Sequence, residues 1–213
     1  MSLGHGASIV RNGLVLHLDA ANTKSYPGSG TTWKDLSGNG NHGTLINGAS
    51  FSNNSFVFDG VDDYVQFTPI SVRTICFWGR FDTGIPSLAA LVGMTATGDG
   101  ALRTENVSFR AVSPAAPDSN DFHNGYVSSL MINGVSNLST NASGYFIIPN
   151  GRTMQQDFYV GAVGNARSMS TLSHTFMGRV YKGRIYSVCM YNRVLSDNEL
   201  KQNFEALRGR YGI

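Results

Sequence analysis

Short runs in which apolar residues alternate with polar ones recur along most of the chain. In "GLVLHLD", residues 13–19, Leu14, Leu16 and Leu18 fall on one face, the period of a half-buried strand. "SFVFDGVDDYVQF", residues 55–67, predicts two strands joined by a short reversal through Asp59 and Gly60. "VRTICFWGRF", residues 72–81, is rich in β-branched and aromatic residues and predicts a long strand. In residues 125–139 the pair Asn133-Gly134 separates two apolar runs, a strong hairpin signal. Residues 157–163 and 178–194 supply the remaining strong strands, and the segments between are polar, rich in glycine or interrupted by proline.

The period changes once, near the end. In "LSDNELKQNFEALRGRYG", Ser196 and Glu199 stand at capping-box spacing, with Leu195 and Leu200 placed as a hydrophobic staple. Leu200, Phe204 and Leu207 then share a face. The pattern predicts a helix over 196–208 ended by Gly209, with Arg208 and Arg210 as ordinary cations at its carboxyl end. Residues 13–213 are expected to form a single all-β domain closed by this helix, and residues 1–12 an arm.

Composition narrows the function classes. The chain has 213 residues with 25 Gly, and only 14% are charged, against roughly 25% in ordinary soluble domains. A net charge of +2 without a basic run gives no electrostatic footprint for nucleic acid. No stretch reaches the ~20 apolar residues needed to cross a bilayer, and the first residues lack the pattern of a signal peptide. Cys76 and Cys189 each sit inside a strand-like run far from the other and are expected to be buried free thiols.

Gly38, Gly40 and Gly43 in "SGNGNHG" have the GxGxxG spacing of a dinucleotide loop. That loop requires a buried strand before it and a helix after it, so that the phosphates meet the helix N-terminus. Neither fits here, and the glycines are expected to make tight reversals, as Gly60 does in "FDGVDD".

The order "GLVLHLDAAN", "TWKDLSGNGNHGTL", "FVFDGVDDYVQF", "TICFWGRF", "MINGV", "YVGAVGN" and "GRIYSVCMYNRVLSDNELKQNF" resembles the laminin G-like, concanavalin A-like jelly-roll domains of the lectin-glucanase group. The match spans residues 13–204, and its opening is similar to versions found in tailed-phage virion proteins. The resemblance implies an antiparallel two-sheet jelly-roll sandwich, with the first strand paired near the last long one. Because this fold hosts lectins, hydrolases and particle proteins alike, the resemblance leaves function open.

Glucanases of that group resemble one another in a strand bearing Glu-x-Asp-x-x-Glu, whereas this chain has only Glu105, Glu199 and Glu205. No GxSxG nucleophile motif stands in for it. The expectation is therefore a chain that is not an enzyme, with glycan hydrolysis as the weakest reading. No cofactor is implied except Ca²⁺, which laminin G-like domains often hold at a rim. Asp59, Asp62 and Asp63 are the cluster of hard oxygens, with turn-making as their plainer job. Trp33, His123, Tyr126 and Arg152 lie in or beside loops and are the candidates for sugar contact.

The leading expectation is a bacteriophage structural and binding module, such as a head decoration, fibre or tail component. It would be made in the host cytoplasm and carried in the virion. Its partners would be other virion proteins within an oligomeric assembly, with host glycans as further ligands and neither nucleic acid nor membrane. A carbohydrate-binding, lectin-like domain is the alternative.

Overall fold

A computed structural model describes residues 8–82, 92–93, 109–111, 121–124, 127–136, 146–147, 156–173 and 181–212. The strands are β1 (Leu14–Asp19), β2 (Thr32–Trp33), β3 (Gly43–Ile46), β4 (Ser50–Ser52), β5 (Ser55–Asp59), β6 (Tyr64–Phe81) and β7 (Val92–Gly93). They continue as β8 (Phe109–Ala111), β9 (Asp121–Asn124), β10 (Val127–Ile132), β11 (Phe146–Ile147), β12 (Phe158–Leu172) and β13 (Lys182–Tyr191), before the helix α1 (Asp197–Tyr211).

All strand pairings are antiparallel. β6 is the axis, with β12 along one edge while β3 and β13 share the other, β3 at its start and β13 towards its end. β1 pairs with β13, as the resemblance implies. The mostly-β prediction with one helix near the carboxyl end therefore holds for the described residues. Two separate opposed sheets are not what the hydrogen bonding shows. One ten-stranded sheet runs through β6, and a three-stranded sheet of β11, β9 and β8 stands apart. Continuity follows from β6, which is 18 residues long and joins what the sequence suggests as two strands. Register shifts in β12, between Val163 and Arg167 and between Met169 and Thr171, mark the bulges that let so long a pair bend. The predicted reversal at Asp59-Gly60 exists, but β5 turns away to β4 and β13 and does not pair with β6.

Along β6 successive residues point to opposite faces, and both faces are buried. Ile75 and Phe77 join Phe56, Phe158, Val188 and Met190 in the larger core. Cys76 and Trp78 join Tyr159, Cys189 and Tyr191 in a second core roofed by α1 through Leu200, Phe204 and Leu207. This explains the near-continuous apolar run of "TICFW", since a strand covered on both faces has no polar side. Each of the three helix anchors contributes about 1.5–3 kcal/mol by leaving water.

The capping box forms as predicted, Ser196 Oγ accepting from Glu199 N and the Glu199 carboxylate from Ser196 N. The helix does not stop at Gly209. It runs on to Tyr211 and ends at Gly212, which takes the left-handed conformation at φ 70°. Burial of Tyr211 against Trp78 and Tyr186 supplies the reason for the extra turn.

The arm is corrected too. Residues 8–12 lie on the chain's own body, with Ile9 and Val10 buried in the second core. Val10 N donates to Asn203 Oδ1 at 2.8 Å, and Tyr191 Oη donates to Val10 O at 3.0 Å. Residues 1–7 lie outside the described residues. No helix among the described residues is long and apolar enough to cross a membrane.

Candidate functional site

The glycine loop is knitted to β1 by one buried carboxylate. Asp35 accepts from His17 N at 2.9 Å, Ser37 N at 2.8 Å, Ser37 Oγ at 2.7 Å and Asn41 N at 3.1 Å. Asn39 and Asn41 donate their amides to the carbonyls of Leu14 and Val15. Gly38 and Gly40 take φ of 92° and 75°, and a Cβ at Gly43 would meet Val65 at 2.7 Å. Every amide that a phosphate would require here is spent on holding the loop closed, so the structural reading of "SGNGNHG" stands. Burial works to raise the Asp35 pKa, but the hydrogen bonds from Ser37, His17 and Asn41 outweigh it and hold the carboxyl below its ordinary range.

The predicted sugar contacts are not gathered by the fold. Trp33 is wholly buried, its ring 4.5 Å from that of Phe56, so the expectation of a rim aromatic is corrected. The large apolar core captures it because the strand β2, though only two residues long, faces Trp33 inward. His123 lies in β9 opposite Arg110. Tyr126 and Arg152 lie outside the described residues.

The acidic trio does converge. The ligand-capable oxygens of Asp59, Asp62 and Asp63 lie within 4.8 Å of one another. Hard oxygens so close fit a cation such as Ca²⁺ in kind. The same oxygens also build the turn. Asp59 Oδ1 accepts from Val61 N at 2.7 Å, and Asp63 Oδ2 accepts from Asp59 N at 3.1 Å. Gly60 completes it at φ 82°. Burial, then the negative charges of Asp59 and Asp62, push the Asp63 carboxyl up despite the Asp59 hydrogen bond.

A concave site forms elsewhere, where four pieces of chain meet at the end of α1. The cleft has a volume of about 370 Å³ and is lined by Asn53, Asn54, Asp157, Tyr186, Arg210 and Tyr211, with Ala21 and Gly212 completing it. Asn53 and Asn54 are the two turn residues of the β4–β5 hairpin, at φ 51° and 58°, the paired left-handed conformation that asparagine tolerates. Asp157 immediately precedes β12. Tyr186 is the extra residue of a bulge, since Ile185 pairs with Gly79 and Ser187 with Trp78. The bulge turns its ring to the helix side of the sheet, and its carbonyl accepts from Ala20 N at 2.9 Å.

Polar contacts fix the lining. Tyr186 Oη donates to Asp157 Oδ1 at 2.7 Å. Behind it Asp19, 2% exposed, accepts from Arg210 Nη1, from Tyr211 Oη at 3.1 Å and from Ala21 N at 3.0 Å. Burial, then the neighbouring carboxylates, push both phenols above the ordinary tyrosine range. Both hydroxyls therefore act as donors at neutral pH. The cleft thus combines two aromatic rings, two primary amides, a carboxylate and a guanidinium, the set that serves a polyhydroxylated ligand. Sequence reasoning misses it because Tyr186 reads as an ordinary strand residue and Arg210 as a helix-end cation.

No protein-family model matches the chain, and no curated protein sequence matches it. Solved structures share its fold. Trypanosoma rangeli sialidase in complex with sialic acid aligns over 94% of this chain and 34% of its own, at 15% identity and a TM-score of 0.55. The same sialidase with difluorosialic acid gives the same coverage at 17% identity and a TM-score of 0.51. Domain 4 of AbnA, a GH43 extracellular arabinanase from Geobacillus stearothermophilus in complex with arabinotriose, aligns over 90% of this chain and 98% of its own, at 12% identity and a TM-score of 0.48. The chain spans 34% of the length of the sialidase chain.

The expectation that the chain is not an enzyme is corrected by these neighbours, which are glycoside hydrolases. A missing Glu-x-Asp-x-x-Glu strand rules out one arrangement of carboxylates on one face of a sheet. A fold found within sialidase chains takes the question beyond that one motif. The β-rich, lectin- or glucanase-like reading of the fold agrees with the neighbours, while the phage setting finds no counterpart among them.

Proposed function

We propose that this chain is a carbohydrate-recognition β-sandwich, of the two-layered lectin-like kind, that binds a short glycan in the cleft between the end of α1 and the β4–β5 hairpin. The observation that carries the proposal is the convergence of Tyr186, Tyr211, Asp157 and Arg210 with the Asn53-Asn54 turn around one concavity. Small-ligand sites are concave and hold a few convergent polar groups, at volumes of about 300–1,000 Å³. At about 370 Å³ the cleft suits the end of a glycan better than a long chain. The sialidase neighbours support a carbohydrate setting for the fold.

A glycan array probed with the purified chain, with and without Ca²⁺, tests this. Saturable binding that weakens when Asn53 and Asn54 are replaced by Gly supports the reading, since Gly keeps the turn and deletes both amides. Absence of binding in both conditions overturns it. Turnover of a bound oligosaccharide would extend it from recognition to hydrolysis, and Ca²⁺-dependent binding would bring in the Asp59, Asp62 and Asp63 turn.

A role in a phage particle, as an oligomeric partner of other virion proteins, is a second reading favoured by the opening run "GLVLHLDAANTKSYPGSGTTWKDLSGNGN". Detection of the chain in purified virions tests that placement, and a chain absent from them overturns it.

A further inference from the structure

Resting on the glycan reading of the cleft, we infer that the site selects neutral, hydroxyl-rich sugars and discriminates against carboxylated ones. Charge placement carries the inference. A carboxylated sugar needs a guanidinium that is not already neutralised, and Arg210, the cation of the lining, is committed to the buried carboxylate of Asp19. The two other guanidiniums that act on Tyr186 are engaged as well. Arg80 faces Asp82 at 3.7 Å, and Arg184 donates to Ser52 O at 3.1 Å and Ser55 Oγ at 3.0 Å beneath the asparagine turn.

The lining itself contributes a negative charge through Asp157, held in place by the Tyr186 hydroxyl at 2.7 Å. A second carboxylate in the same small cleft would be repelled at short range, where like charges oppose binding most strongly. Sugar hydroxyls suit the same groups, because each hydroxyl both donates and accepts. Asp157 accepts from them, the Asn53 and Asn54 amides do both, and the Arg210 donors turned away from Asp19 give to their oxygens. Little stacking is available, because Tyr186 and Tyr211 are each only 8% exposed. Hydrogen bonding to hydroxyls must then supply most of the recognition.

The experiment compares lactose and arabinotriose with sialyllactose and digalacturonate on the intact chain, by calorimetric titration at fixed ionic strength. The neutral sugars are expected to bind saturably and the acidic ones roughly tenfold more weakly or worse. Asp157→Asn should narrow that gap, because it removes the repelling charge and keeps the shape. Asn54→Gly, which leaves the charges alone, should weaken both classes alike. Acidic sugars that bind as tightly as neutral ones overturn the inference and leave the recognition reading intact. A gap that Asp157→Asn does not change also overturns it. Failure of every sugar on a chain with a native circular dichroism spectrum overturns the recognition reading itself.

Discussion

Asp19 on β1 and Arg210 on the last turn of α1, 191 residues apart in sequence, form an ion pair whose acidic member is almost wholly buried. The pair ties the helix end to the first strand and fixes the back wall of the cleft. Arg210→Met should destabilise the chain by about 2 kcal/mol in urea unfolding, less than the ~3–5 kcal/mol seen when a fully buried pair is broken. The reduction reflects the half-exposed Arg210 side chain, at 46%. An unchanged midpoint would show that Tyr211 and the Ala21 amide satisfy Asp19 alone.

The loop built on Asp35 should be as sensitive. Asp35→Ala leaves the amides of His17, Ser37 and Asn41 without their acceptor. A loss of about 2–3 kcal/mol is expected on unfolding, the scale of stranded buried donors. Amide exchange over residues 37–43 should accelerate more than exchange along β6. Uniform acceleration would mean that the loop is no separate unit.

His17 makes stability depend on mild acid. It is 7% exposed, and neither ring nitrogen has a hydrogen-bond partner. Burial lowers its pKa to about 4, against the opposing pull of Asp19 and Asp35. Between that value and the unfolded value of 6.5 the unfolded chain takes up a proton that the folded chain refuses. Stability should therefore fall as pH drops from 6.5 towards about 4, by as much as about 3 kcal/mol. Midpoints measured across that window should be flatter in His17→Leu, and a wild-type profile that is already flat would refute the assignment.

Most strands, the helix start and the Asn133-Gly134 turn were readable because their causes are local: alternation, a capping box and a residue pair that tolerates positive φ. The rest depended on contacts that no window of sequence contains. Trp33 sits in a polar stretch and reads as exposed, yet β2 faces it into the larger core. Gly209 looks like a helix end, yet Tyr211 gains more by reaching Trp78 and Tyr186 than the helix loses at one glycine. The cleft joins a hairpin turn, a strand start, a bulge and a helix end, and only the bulge in β13 turns Tyr186 towards the others.

Cys76 and Cys189, remote in sequence, are direct register partners across β6 and β13 and are free thiols in the second core. Burial pushes Cys76 up to about 11 and raises Cys189 well above the ordinary thiol range. Little thiolate exists at neutral pH, so labelling by a disulfide reagent should be slow in the folded chain and should reach both thiols in denaturant. Rapid labelling without denaturant would show that α1 lifts from the sheet.

Tyr186→Phe separates the two roles of the bulge. The substitution keeps the ring against Tyr211, whose centroid is 5.2 Å away, and deletes the hydroxyl that donates to Asp157. Stability should fall by only about 1 kcal/mol, the net worth of one hydrogen bond. Sugar affinity should fall further than that loss alone would suggest, because Asp157 is then free to turn away from the ligand. Calorimetric titration with lactose, alongside urea unfolding, measures both. Equal small effects on the two would mean that Asp157 is positioned by other contacts and that the bulge serves packing alone.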